Sequence, residues 1–271
     1  MTAEDSIPLL DENVGAFYAR YGRAPGAELH DEPGLTWYAT GIHDSFFNGV
    51  ARASLSPESA ADRIGAVATV FRARGLPWQW NIGSRPQPAD LAQRLASLDP
   101  DSVIPLTGMA MSLKSLRSAP AVPVLTVEPV RDHDALSEWI RIGTSVFGMN
   151  DADAILAVEA GLGAAPDLPW QRFLARLDGA PVGTALVFLT GGTAGIYWVS
   201  SLPDVRGRGI GTALTLAALS HARKRGATLA VLQASGVGLK IYRRLGFREV
   251  SRNALVVWRD GGRTETADER G

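Results

Sequence analysis

The 271-residue sequence contains no cysteine. Disulfides, thiolate metal sites and cysteine nucleophiles are thereby excluded together, and the composition suits a reducing compartment, so the cytoplasm is the expected location. Histidine is scarce: His30, His43, His133 and His221 are scattered without ligand spacing, and no metal is expected. No charge of one sign dominates. A formal net charge of -1 offers no electrostatic ground for binding nucleic acid or an anionic membrane. No apolar run approaches the ~20 residues that cross a bilayer, and the acidic start MTAEDSIPLL lacks the basic region that opens a signal peptide. A hydrophobic fraction of 46% places the chain among soluble globular proteins, with length for one large domain or two ordinary ones.

A break falls at SAPAVPVLTVEP, where prolines and small residues suggest a linker over residues 115–124. Two domains are therefore expected, at 1–120 and 121–260, followed by a polar tail at 261–271. In the second segment VLTVEPVRD alternates like a strand, and DHDALSEWIRIGTSVFG has helical period. A shorter helix follows in NDADAILAVEAGLG, capped by Asn150 or Asp151. Three strands are then joined by turns at Asp178-Gly179 and Gly191-Gly192, and helix, strand, helix and strand complete the segment. The first segment repeats this order. A strand pair, LTWYATG and FFNGVARASL, precedes a helix capped by Ser56 with Pro57 at its first position, then strand, helix and strand. The two long helices end alike, in Arg74-Gly75 and Arg225-Gly226, which is the glycine stop of a helix. The pattern reads as a diverged internal duplication in an α/β protein with a mixed sheet.

The copies differ at one place. Where the first has SPESAAD, the second has Arg206-Gly207-Arg208-Gly209-Ile210-Gly211-Thr212 leading into an apolar helix. Glycine in a helix costs about 1 kcal/mol per residue, so three of them need a reason. A helix start presents main-chain N–H groups without partners and the positive end of the dipole; removing Cβ atoms there lets a phosphate reach the amides. A tight turn is the competing explanation. The Walker loop is excluded because the segment has no lysine, and the dinucleotide fingerprint because neither its glycine spacing nor its acidic residue is present.

The pattern [QR]-x-x-G-x-[GA] does fit, through Arg206, Gly209 and Gly211 with Pro203 upstream, and IYRRLGF follows after one intervening strand. Residues 125–260 thus resemble the GCN5-related N-acetyltransferase (GNAT) superfamily, and the first half resembles a degenerate copy, as in tandem members. The resemblance implies the acyl-CoA N-acyltransferase fold in two copies, with acetyl-CoA as co-substrate and direct transfer to an amine. Gly207 to Thr212, with Arg206 and Arg208, would hold the pyrophosphate. Val199, Ser200 and Ser201, on a strand splayed from its neighbour, would offer N–H groups to pantetheine and to the thioester oxygen. Tyr242 would protonate the departing thiolate, although it could also be a core aromatic. Ser235 stands where many members have asparagine.

The strand before the loop has no carboxylate, so the general base is unassigned among water, Glu138, Asp153 and Glu159. The absence of an acidic or basic groove favours a small-molecule amine, with peptide or protein amines open and either a monomer or a homodimer possible. Trp37, Trp78, Trp80 and Trp198 could line a binding surface or anchor the core. A non-catalytic acyl-CoA-binding module is the alternative reading, and an interaction protein whose glycine loop is a plain turn is a third.

Overall fold

The computed structural model describes residues 2–116, 124–163, 167–236 and 238–259. Apart from Ser115, Leu116 and Val124, the expected linker lies outside the described residues, as does the expected tail. In chain order the elements are α1 (Ala3–Ala19), β1 (Glu28–Glu32), β2 (Leu35–Ala39), β3 (Asn48–Ala53), α2 (Ala60–Arg74), β4 (Trp78–Ile82), α3 (Leu91–Ala96) and β5 (Ser102–Ser112). The second half supplies β6 (Leu125–Pro129), α4 (His133–Phe147), α5 (Ala152–Gly161), β7 (Trp170–Leu177), β8 (Ala180–Thr190) and β9 (Thr193–Ser201). It ends with α6 (Ile210–Lys224), β10 (Leu229–Ala234), α7 (Leu239–Leu245) and β11 (Arg248–Trp258). The run from β1 to β5 has the same order of strands and helices as the run from β7 to β11, as the duplication requires.

The chain forms two compact units: residues 1–17 with 107–251, and residues 18–106 with 252–271. In the first unit β6, β7, β8 and β9 are successive antiparallel neighbours, and β9 lies parallel to β10. The far side of β10 pairs antiparallel with Thr107–Ser112 of β5. One face of this sheet carries α6 and α7 over a core that includes Val187, Ile196, Leu214 and Leu232. The other face carries α4, whose Trp139 and Phe147 pack on Trp198, and α1, whose Phe17 stacks on Tyr197 at 3.6 Å.

In the second unit β1, β2 and β3 run antiparallel, β3 is parallel to β4, and β4 pairs with Ala254–Trp258 of β11. Its core is aromatic: Trp37, Phe71, Trp78, Trp80 and Trp258 are buried together, with Trp78 stacked on Trp258 at 4.0 Å. Each unit's sheet is thus completed by a strand segment from the other half of the sequence. The units therefore part at 17/18, 106/107 and 251/252, whereas the sequence suggests a break near 120. Periodicity locates strands but does not name their partners.

Two local readings change. The regular helix expected from Ser56 and Pro57 begins at Ala60, after a turn over residues 57–59, and Ser56 makes the expected cap bonds, its Oγ accepting the Ser59 N–H at 3.3 Å and its carbonyl the Ala60 N–H at 3.0 Å. The acidic start of the chain forms α1 through a reciprocal cap: Thr2 N–H donates to Asp5 at 2.7 Å, and Asp5 N–H donates to Thr2 Oγ1 at 3.2 Å. Among the described residues no helix is long and apolar enough to cross a membrane.

Candidate functional site

The glycine segment leaves the end of β9 through one short helical turn, Pro203–Val205, and enters α6. Gly207 and Gly209 both adopt φ +81°, a left-handed conformation that a side chain would strain. These two are what a tight turn demands. Gly211 is different: its φ is not positive, and an added Cβ would meet only Ile241 Cδ1 at 3.9 Å, an ordinary contact. The backbone gives no reason for glycine there. Keeping the approach to the helix start bare does.

The cap is Gly209, which brings no side-chain acceptor, and the first main-chain bond of α6 runs from Ala213 N–H to Gly209 C=O at 3.0 Å. The N–H groups of Ile210, Gly211 and Thr212 therefore precede the first bond of the helix, at the positive end of its dipole. Ile210 is buried, so its side chain anchors the helix while its amide belongs to the turn. Arg206 is exposed and donates from Nε to Ser201 C=O at 3.4 Å; Arg208 is exposed beside it. The arrangement places three main-chain N–H groups at a helix start near two exposed guanidinium groups, donors of the kind that can hold an anion.

Next to this turn the sheet opens. β9 and β10 pair only over Thr193–Leu229, Ala194–Ala230 and Gly195–Val231, although β9 continues to Ser201 and β10 to Ala234. Along the opening β9 carries a bulge: β8 advances from Thr184 to Leu186 while β9 advances from Ser200 to Tyr197, so Trp198 and Val199 together face Ala185. Trp198 has φ +53° at this point. Val199 packs against the α6-side core. Ser200 is buried with its hydroxyl 2.7 Å from Thr184 Oγ1, so its side chain is engaged within the sheet; Ser201 is half-buried at the strand end.

Tyr242, on α7, packs on the same core with its ring edge-on to Phe247 at 5.8 Å. Burial pushes its phenol up to about 12, so it remains protonated at neutral pH. No protein group bonds its hydroxyl among the described residues. It is a packing residue that keeps its phenolic proton. Gly238 makes room for it, since a Cβ there would lie 2.9 Å from the Tyr242 ring. Ser235 is exposed just beyond the end of β10, and its carbonyl accepts the Gly238 N–H at 3.0 Å.

Sequence reasoning passes over Gln233. It lies on β10 beyond the last β9 pair, and its neighbours Leu232 and Ala234 belong to the α6-side core, so it faces the opposite side of the sheet. Its Nε2 is buried without a hydrogen-bond partner. A buried donor left unsatisfied costs about 1–3 kcal/mol, a cost that a ligand can remove. Its β-strand context hides it in sequence.

The carboxylates considered as bases separate cleanly. Glu159 is fully buried and held by the guanidinium of Arg172, which also bonds the Glu159 and Gly163 carbonyls. Glu138 shares Arg176 with Glu128, at 2.5 and 2.6 Å. Asp153 is exposed in the first turn of α5, while its neighbour Asp151 caps that helix through the Ala154 N–H at 3.1 Å. Burial also answers the tryptophans: Trp37, Trp78, Trp80 and Trp198 are all at most 6% exposed, which makes them packing anchors rather than a binding surface. Among the described residues no group of three or more carboxylates and histidines could hold a metal.

A cavity of about 920 Å³ starts at Thr212 and Leu216 of α6 and runs past Arg244 and Gly246 at the end of α7 to Met111 of β5 and Thr2 at the start of α1. It is contiguous with the first turn of α6 and basic on one side, through Arg244 and Arg248.

Residues 169–249, from the end of the α5–β7 connection to the first residues of β11, match the family model described as Acetyltransferase (GNAT) domain. A mycothiol acetyltransferase of Actinosynnema mirum is 32% identical over 214 residues, which is 73% of this chain and 68% of that protein. One from Thermobispora bispora is 31% identical over 186 residues, 62% of this chain and 61% of that protein. The chain therefore spans about two thirds of the length of these curated relatives. Among solved structures, a GCN5-related N-acetyltransferase from Kribbella flavida superposes with a TM-score of 0.70 over 92% of this chain and 95% of that one, at 18% identity, which shows a shared fold.

Proposed function

From the premise that this chain belongs to the GNAT acetyltransferase family, whose co-substrate is acetyl-CoA, we propose that it transfers the acetyl group directly to the primary amine of a small molecule. The observation that carries this reading is the glycine-opened start of α6 placed where β9 parts from β10. An anion gripped there directs the rest of its molecule along the exposed edge of β9.

In this reading the amides of Ile210, Gly211 and Thr212 hold the pyrophosphate, Arg206 and Arg208 neutralise it, and the cavity beyond Thr212 receives the nucleotide end near Arg244. The bulge at Trp198–Val199 turns a main-chain N–H toward the thioester oxygen, where negative charge gathers during attack. Tyr242, protonated at neutral pH, gives its proton to the leaving sulfur. The acceptor approaches from the opposite face of the sheet, where Gln233 offers its unpaired amide. Glu159 and Glu138 are committed to arginines, so the amine proton passes to water, with Asp153 the carboxylate left for that role.

The relatives' name makes the form of mycothiol that lacks an acetyl group the first acceptor to assay. The test is calorimetry with acetyl-CoA, followed by chromatographic measurement of the CoA thiol released in the presence of that acceptor and of a library of small amines. Micromolar binding with amine-dependent thiol release supports the reading. Binding without release under any amine favours a non-catalytic acyl-CoA-binding module, and no binding at all removes both.

A further inference from the structure

The bulge in β9 is held by side chains. An extra residue in one strand leaves carbonyls without ladder partners, and such groups need donors. Two are present. Trp139 of α4 donates its indole N–H to Ala185 C=O, opposite the bulge, at 3.2 Å. Thr184 of β8 donates its hydroxyl to Trp198 C=O, within the bulge, at 2.7 Å. Thr184 is fully buried and has one proton, so the 2.7 Å contact to Ser200 Oγ is a bond that Ser200 donates. The chain of hydroxyls has a fixed direction, from Ser200 to Thr184 to Trp198 C=O.

That direction matters for the neighbouring N–H. Across a trans peptide the carbonyl of Trp198 and the N–H of Val199 point opposite ways. Anchoring the carbonyl toward β8 aims the Val199 N–H away from β8, along the side where β9 has lost its β10 partner. The position is confined from the other face too, since a Cβ on Gly143 of α4 would lie 2.8 Å from the Trp198 ring. The strained φ of Trp198 is therefore held by a hydroxyl, a tilted indole contact with Trp139 and a close helix.

We propose that Thr184 is a positioning residue for acyl transfer: its bond to Trp198 C=O sets the Val199 N–H as the donor that meets the thioester oxygen. This rests on the acetyltransferase reading above. Thr184 touches neither substrate.

The test compares Thr184→Val, which keeps the shape and removes the hydroxyl, with Thr184→Ser, which keeps the hydroxyl and loses only the methyl group. Thr184→Val is expected to lower kcat by about 10–100-fold, less than the roughly 10²–10³-fold for deleting an oxyanion donor outright. Its acetyl-CoA affinity stays within about twofold, because the phosphate turn is untouched, and Thr184→Ser restores kcat. Ser200→Ala removes the hydroxyl that donates to Thr184 but leaves the Thr184–Trp198 bond in place, so its loss of kcat should be smaller than that of Thr184→Val. A second readout is the Val199 amide proton resonance, expected to move downfield on saturation with acetyl-CoA in wild type and Thr184→Ser but not in Thr184→Val. Thr184→Ala serves for that readout if the valine variant does not fold. Wild-type kcat or a wild-type Val199 shift in Thr184→Val overturns the proposal, as does an equal rate loss in Ser200→Ala. A wild-type protein that moves the Val199 resonance but transfers acetyl to no amine would overturn the enzymatic reading, and with it the role in transfer, while leaving the Thr184-dependent contact of the Val199 N–H with bound acetyl-CoA.

Discussion

The two units share more than an order of elements, and their differences locate the chemistry. Both have a parallel strand pair that ends early, β9 with β10 after Gly195–Val231 and β3 with β4 after Val50–Trp80. Both have a bulge in the equivalent hairpin, and both place a threonine beside it, Thr184 in one and Thr36 in the other. Thr184 spends its proton on the bulged carbonyl, whereas Thr36 donates to Asp31 at 2.6 Å. The connection to the next helix differs most: Arg206 to Thr212 presents amides and positive charge, while residues 54–59 present Ser56, Pro57 and Glu58. An opened sheet is thus a property of the fold, inherited by both copies. In the proposed reading, what turns one opening into an acyl-CoA site is the turn that follows it.

The comparison can be broken most forcefully at Gly209. Gly209→Glu brings the second unit's carboxylate to the first unit's turn and forces a side chain onto φ +81°. A like charge at about 4 Å costs several kcal/mol near a surface, so acetyl-CoA affinity should fall by ~100-fold or more in calorimetry, with the melting temperature showing that the fold survives.

Tyr242→Phe comes next. It should lower kcat by about 100-fold and leave acetyl-CoA affinity intact, because only the proton donor is lost. The phenol's value of about 12 adds a pH signature. A group that burial holds neutral ionises only as pH rises through that value, so Tyr242 imposes no loss of rate between pH 8 and 10. By the same shift its contribution to stability is complete below pH 10 and declines from there toward 12.

Gln233→Leu should raise the acceptor KM by about 3–10-fold without altering acetyl-CoA affinity. It should also raise the melting temperature, since a buried donor without a partner disappears. A lowered melting temperature would show that the amide is structural. The smallest effect is expected at Glu58→Gly, which makes the second unit's turn more like the first. Acetyl-CoA stoichiometry should stay at one, because a single glycine supplies neither the remaining bare positions nor the arginines; a second site appearing would mean that the turn alone decides.

Much of the site was legible in sequence because its logic is local. The glycine turn at the start of α6 is contiguous, and Arg206, Gly209 and Gly211 mark it by their spacing. The ends of the long helices were equally readable, at Gly75 and Gly226, both with positive φ. The Thr2–Asp5 cap of α1 was also present in the sequence and is a detectable signal that the acidic composition obscured. What could not be read depends on partners distant along the chain. Nothing in VIPLTGMAMS says that Thr107–Ser112 will lie beside β10, and nothing in ALVVW says that it will lie beside β4. The bulge belongs to the same class: Thr184, Trp139 and Trp198 are separated by as many as 59 positions in sequence numbering and meet only when α4 packs on the sheet. Gln233 looks like any strand residue until the missing β10–β9 pairing is seen.

The most direct trial is a crystal structure with coenzyme A at saturation. Diphosphate oxygens within hydrogen-bond distance of the Ile210, Gly211 and Thr212 amides, with the pantetheine arm along β9 toward Val199, are the result expected. Coenzyme A seated elsewhere, with the turn at Gly209 unoccupied, would contradict it.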